Sequence, residues 1–122
     1  MNRLIAISGT VVLALAQAQA QSGNASKYSQ KTLLKNWALS RCLGQVYSDP
    51  KTKEDANATA SAYLEFGRQP VEAYDALGEL VNKYANQKYT GSVKSEFNTM
   101  KCIDLFHSRE LEELTSRLSK GK

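Results

Sequence analysis

The chain has one histidine, one tryptophan, two cysteines and two prolines among its 122 residues. Each scarcity excludes something. A Ser-His-Asp or Cys-His centre needs a base held against a nucleophile. The only histidine, His107, lies between Phe106 and Ser108 at an expected helix boundary, a capping place. Zinc needs three or four His, Cys or carboxylate ligands, and no such cluster is spaced along the chain. Haem ligation would fall to Met100 and His107, on a segment that Ser108 breaks. Neither GxGxxG nor GxxxxGK[ST] occurs, so no nucleotide site is indicated. The paired carboxylates, Glu54-Asp55 and Glu112-Glu113, are sequence neighbours and point to different sides of a helix. The inventory therefore predicts no enzyme and no cofactor.

Long apolar runs are lacking as well, with one short exception. Leu4 to Ala16 is apolar, follows the positive Arg3 and precedes the small-x-small stretches Ala16-Gln17-Ala18 and Ala18-Gln19-Ala20. That is a secretory signal peptide over residues 1–20, cut after Ala18 or Ala20. It is too short to span a bilayer, so no membrane insertion is expected after cleavage. Residues 21–122 then make one domain with one modest core. The formal net charge is only +4. Its bases (Lys27, Lys31, Lys35, Arg41, Lys51, Lys53, Arg68) are scattered, unlike the clustered face of a nucleic-acid binder. Cys42 and Cys102 are the only pair in a chain bound for an oxidising compartment, which predicts a structural disulfide. Closing a loop of about 60 residues restricts the unfolded chain by about 4 kcal/mol.

Strand patterning is absent too; only Lys88 to Val93 leaves room for a short strand. The rest reads as helix. Gln21 to Ser26 is small and polar, a frayed end. Leu34, Ala38, Cys42 and Val46 recur at fours, predicting a helix over about 29–47 with Trp37 as a core anchor. Pro50 ends it. An Ala-rich helix follows over about 54–66, its small side chains permitting close helix approach, with Gly67 at a left-handed C′ position. Pro70 is placed at the first position of a third helix, whose apolar face is Val71, Tyr74, Leu77, Val81 and Tyr84. Asn86 to Glu96 is the longest unpatterned stretch. Asn98-Thr99 opens a fourth helix carrying Cys102, and Ser108 caps a fifth with Leu111, Leu114 and Leu118. The fold class predicted is all-α, a compact domain of about five helices stapled by one disulfide. Asn24-Ala25-Ser26 and Asn57-Ala58-Thr59 match the glycosylation acceptor pattern, a triplet that arises often by chance.

A small exported domain without catalytic groups works by binding. Six tyrosines (Tyr28, Tyr47, Tyr63, Tyr74, Tyr84, Tyr89) agree with that, since tyrosine joins apolar area to a polar tip, although at least four should be half-buried in the core. Four segments carry a family resemblance. They are Leu34-Lys35-Asn36-Trp37-Ala38-Leu39-Ser40-Arg41-Cys42-Leu43, Asp55-Ala56-Asn57-Ala58, Ala62-Tyr63-Leu64-Glu65-Phe66-Gly67, and the stretch from Asn98 through Cys102 and Asp104 to Ser108. Together they resemble the type VI secretion amidase immunity proteins over most of residues 33–114, most specifically in the two Cys-bearing motifs.

The resemblance implies a periplasmic, all-helical, often homodimeric protein. Such a protein binds a secreted peptidoglycan amidase, a Cys-His papain-type hydrolase that cuts between D-glutamate and meso-diaminopimelate, and blocks its cleft. A periplasmic chaperone or adaptor of envelope components is the alternative; an envelope enzyme is disfavoured by the inventory above. Blocking a cleft calls for a protruding element. The candidate surface is therefore the outward face of the third helix (Glu72, Asp75, Glu79, Asn82) and the following loop (Lys88, Tyr89, Thr90, Gly91, Ser92, Lys94). Gly91 would let the backbone enter a tight space, Ser92 would bond near the catalytic pair, and Tyr89 would anchor beside it.

Overall fold

The computed structural model describes residues 23–121 together with Ile5, Ile7 and residues 9–11. Most of the expected signal peptide, with its cleavage points after Ala18 or Ala20, lies outside the described residues. A short 3-10 turn, Ala25–Lys27, leads into five α-helices: α1 Gln30–Val46, α2 Pro50–Glu65, α3 Val71–Ala85, α4 Asn98–Phe106 and α5 Arg109–Leu118. Among the described residues there is no strand, so Lys88 to Val93 is irregular chain. No described helix is long and apolar enough to cross a membrane. The stretch read as a frayed end is partly anchored, because Ala25 in the 3-10 turn is buried.

The helix ends follow from capping chemistry. Ser29, Asp49 and Ser108 each accept a bond from the backbone N–H three residues on, satisfying a donor that the helix cannot. Asp49 also takes the Thr52 hydroxyl, and these bonds hold its carboxyl below the usual carboxylate range. The same cap explains why α2 starts at Pro50 rather than near Glu54. Proline lacks an N–H that the first helical position does not use, so the residue that excludes helix before it opens helix after it. At α3 the proline sits one place earlier than expected: Pro70 is the N-cap and Val71 the first helical residue.

α1 is the hub and touches all four other helices. Leu34, Ala38 and Cys42 of α1 meet Leu77 and Val81 of α3, Cys102 and Leu105 of α4, and Leu111 of α5, all without solvent exposure. Each fully buried leucine contributes about 2–3 kcal/mol of apolar transfer. The Cys42–Cys102 disulfide spans 60 positions and ties α1 to α4 inside this core. α2 packs along α1 through Ala56 and Ala60, and a Cβ on Gly44 would come within 2.9 Å of Asn57 Oδ1. This is the close approach that the alanines imply.

Two details at α3 and the connection before it differ from the sequence pattern. Val71 is 72% exposed, because the buried stripe is Ala73, Leu77 and Val81. Two residues turn a helix by about 200°, which carries Val71 to the far side of that stripe. Gly67 is not left-handed. Glycine is required there by space, since a Cβ would collide with the Tyr74 hydroxyl and lie 3.2 Å from the Leu64 carbonyl. Gly67→Ala is therefore expected to displace the Tyr74 ring and cost about 1–3 kcal/mol. Tyr74→Phe should recover part of that loss in a Gly67→Ala background. Additive losses in a double-mutant cycle of chemical melts would refute the clash.

α5 is held at its acidic first turn. Glu112 accepts from Lys31 and Lys35 of α1, and Glu110 accepts from Lys83 and Tyr84 of α3. The lysine bonds hold both carboxyls below the ordinary glutamate value of 4.5. A carboxyl depressed by folding stabilises above its unfolded pKa and loses that contribution as pH falls through its folded pKa. Melting temperature should thus decline below about pH 4.5. A Glu110→Gln, Glu112→Gln variant should show a shallower decline, and an equal slope would remove these pairs from the acid response. The effect is small because both glutamates are about half exposed and all three lysines are at least partly so.

Candidate functional site

The residues expected to form one surface fall on two. Asp75, Glu79 and Asn82 line an open groove of about 740 Å³ between α1, α2 and α3. Trp37 and Tyr74 form its aromatic part, edge to face with ring centres 5.2 Å apart, and burial pushes the Tyr74 phenol up from its usual pKa. The Arg41 guanidinium lies 5.9 Å above the Trp37 ring and donates to Asn57 Oδ1 at 2.8 Å. Gln45 Nε2 donates to Asn82 Oδ1 at 2.7 Å, so the exposed Asn82 is tied back to α1 across the groove. Glu72 is exposed but lines no hollow with the others. Trp37, expected as a core anchor, is half-buried and packs against the core from this groove.

The loop belongs to a second place. Lys88, Tyr89, Thr90 and Gly91 border a hollow of about 420 Å³ completed by Phe97, Met100 and Asp104. Residues Thr90 to Glu96 are all exposed, including Ser92 and Lys94, so this run presents backbone and short side chains to solvent. Tyr89 is not a free anchor. Its hydroxyl donates to Asp104 Oδ2 at 2.6 Å, and that bond with burial pushes the phenol up to about 12. Gly91 makes room for a neighbour within the chain: a Cβ there would come within 2.8 Å of Phe97 Cζ. Phe97 has φ 53, the one non-glycine in the left-handed region among the described residues. Its carbonyl accepts the first bond of α4 from Lys101, and its N–H donates to Ser95 Oγ at 3.0 Å. Met100 in this lining and Ile103 beside it, three apart on α4, are about half exposed.

Sequence reasoning missed Phe97, Met100 and Asp104 as parts of this surface. Met100 falls in the stretch expected as the fourth helix, a signal that places it on a helix and not on this surface. Phe97 carried none, since a bulky residue at positive φ runs against propensity. Of the six tyrosines, five are half-buried and Tyr28 is exposed, but only Tyr74 and Tyr84 pack against the core, fewer than the four expected there. His107 is exposed at the C-terminal cap of α4, edge-on to Phe106. Among the described residues no group of three His, Cys, Asp or Glu could hold a metal ion.

Comparison with known proteins gives a consistent result. The family model for type VI secretion system amidase immunity proteins, Tai4, matches residues 32–115. A chain of the Salmonella typhimurium effector–immunity system Tae4/Tai4 is 58% identical, with TM-score 0.76, over 80% of this chain and 96% of that one. A chain from the Serratia marcescens type VI-secreted toxins and self-resistance proteins is 32% identical, with TM-score 0.76, over 88% and 89%. A chain from the complex of Salmonella typhimurium effector Tae4 with Enterobacter cloacae immunity protein Tai4 is 30% identical, with TM-score 0.65, over 74% and 93%. Curated protein sequences yield no significant match. The match spans all five helices and both halves of the disulfide, so the chain belongs to the type VI secretion system amidase immunity proteins, a family of inhibitors rather than enzymes.

Proposed function

We propose that the exported chain binds a type VI secreted peptidoglycan amidase in the periplasm, covers its active-site cleft and so protects the producing cell from lysis by itself or its sisters. The observation that carries this is the 58% identity to a chain of the Salmonella typhimurium effector–immunity system. The occluding element is the loop after α3, with Lys88, Tyr89, Thr90, Gly91, Ser92 and Lys94, and the outward residues Glu72, Asp75, Glu79 and Asn82 of α3 extend the contact. Two features support the loop. It exposes an unbroken run from Thr90 to Glu96, and glycine and serine at its centre keep that run slim. A homodimer, implied by the family resemblance, belongs to the same proposal and is read by sedimentation of the mature chain.

The Salmonella effector Tae4 is a usable probe, because it forms a complex with an Enterobacter immunity protein only distantly similar to this chain. Periplasmic expression of that effector alone should lyse the host, and co-expression of the full chain should prevent it. Residues 21–122 expressed without the leader should not protect, which tests both export and compartment. Lysis in the presence of the full exported chain would contradict the proposal and favour the chaperone or adaptor reading.

A further inference from the structure

The loop after α3 does not rely on its own central residues for shape. A backbone of eleven residues with Gly91 and Ser92 at its centre has no secondary structure to hold it, yet two contacts pin it against the start and body of α4. The Tyr89 hydroxyl donates to Asp104 Oδ2. The Phe97 ring fills the space a side chain on Gly91 would occupy. Phe97 itself is held at φ 53, a strained conformation for a bulky residue that persists only where surroundings impose it. That strain turns the ring back over the loop at the point where α4 begins. The Tyr47 hydroxyl, bonded to Thr99 Oγ1, fixes the first turn of α4 to the end of α1, so the support is itself anchored to the hub helix.

We infer that Asp104 and Phe97 are positioning residues that clamp the loop in its binding shape before the amidase arrives, acting through Tyr89 and Gly91. This rests on the loop being the amidase-binding element. Binding then orders little new chain, and an element held in advance gives up less entropy on association than a floppy one. The clamp also accounts for Asp104, an exposed acid with no partner role in the core, and for the only positive φ of a non-glycine residue in the described chain.

The test separates the clamp from the site. Lys88 and Lys94 are exposed trypsin sites inside the loop, and Arg68, exposed in the α2–α3 connection, is a control outside it. In the free mature protein, Tyr89→Phe and Asp104→Ala should each speed cleavage at Lys88 and Lys94 about tenfold, the loss of one hydrogen bond to a charged acceptor. Cleavage at Arg68 and the melting temperature should stay as in wild type. Asp104→Asn, which keeps an acceptor, should restore most of the protection. Affinity for Salmonella typhimurium Tae4, measured by calorimetry, should fall in the order Asn, then Ala.

Unchanged cleavage at Lys88 and Lys94 in both Tyr89→Phe and Asp104→Ala would overturn the clamp, whatever happens to binding. Faster cleavage at Arg68 together with a lowered melting temperature would overturn it too, by showing general destabilisation. Faster loop cleavage with wild-type affinity would overturn the role in binding and remove the amidase from this loop, leaving the immunity assignment standing.

Discussion

Replacing Cys42 and Cys102 together by alanine is expected to lower the free energy of unfolding by about 2–4 kcal/mol. The two half-cystines close 60 positions of chain and join α1 to α4 in a core where neither is exposed. Without the bridge, the unfolded chain recovers the freedom that the loop closure denied it. In a domain of this size each kcal/mol moves the melting temperature by about 4–8 °C, so a fall of about 10–25 °C should be seen. Reduction of the wild-type protein should give a similar fall without the small cavities left by alanine. A loss below about 1 kcal/mol in both forms would mean that the packing of Leu34, Leu77 and Leu105 holds the fold unaided. Free-thiol titration of the denatured, unreduced protein should find none.

The second large effect concerns the loop. Tyr89→Ala combined with Ser92→Ala should weaken binding to Salmonella typhimurium Tae4 by about 30- to 1000-fold, the range of a true interface hot spot. Tyr89 contributes both its own surface and its tie to Asp104, whereas Ser92 contributes only an exposed hydroxyl. The melting temperature should hardly move, because neither residue reaches the core. The groove lining offers the control: Asp75→Asn with Glu79→Gln changes charge on the other candidate surface and should cost much less. Full affinity in the loop variant and loss in the groove variant would move the site to the groove between α1, α2 and α3.

Much of the fold was legible because helices announce themselves by spacing. Leu34, Ala38 and Cys42 are the core face of α1 as the pattern requires, and Ser108 caps α5 as its chemistry requires. The disulfide followed from two cysteines and an export signal. The misreadings share one cause, which is that a local pattern does not say what lies opposite. Val71 fits the spacing of the α3 face yet has nothing to pack on, while Ala73 takes the buried place. Gly67 looked like a turn residue and is needed for a tyrosine seven positions further on. Pro50 was legible as a stop but not as a start, because only the Asp49 cap reveals the second role.

The candidate site was legible as a place and not as a structure. The absence of periodicity marked the loop, and that is all that an absence can mark. Its shape depends on Tyr89 meeting Asp104 and Gly91 meeting Phe97, contacts between residues with no spacing relation to one another. The division of the candidate residues between a groove and a loop was likewise invisible, since one helix face and the turn after it are contiguous in sequence. In space, Asn82 turns to Gln45 while Tyr89 turns to α4.

The most direct test of the central claim is an inhibition titration with purified components. Salmonella typhimurium Tae4 is given peptidoglycan, and stem-peptide cleavage is followed as residues 21–122 of this protein are added. Cleavage should fall linearly and stop at about one chain per amidase, as expected for tight binding that covers the cleft. Undiminished cleavage at a large excess of the folded, disulfide-bonded protein would contradict the account.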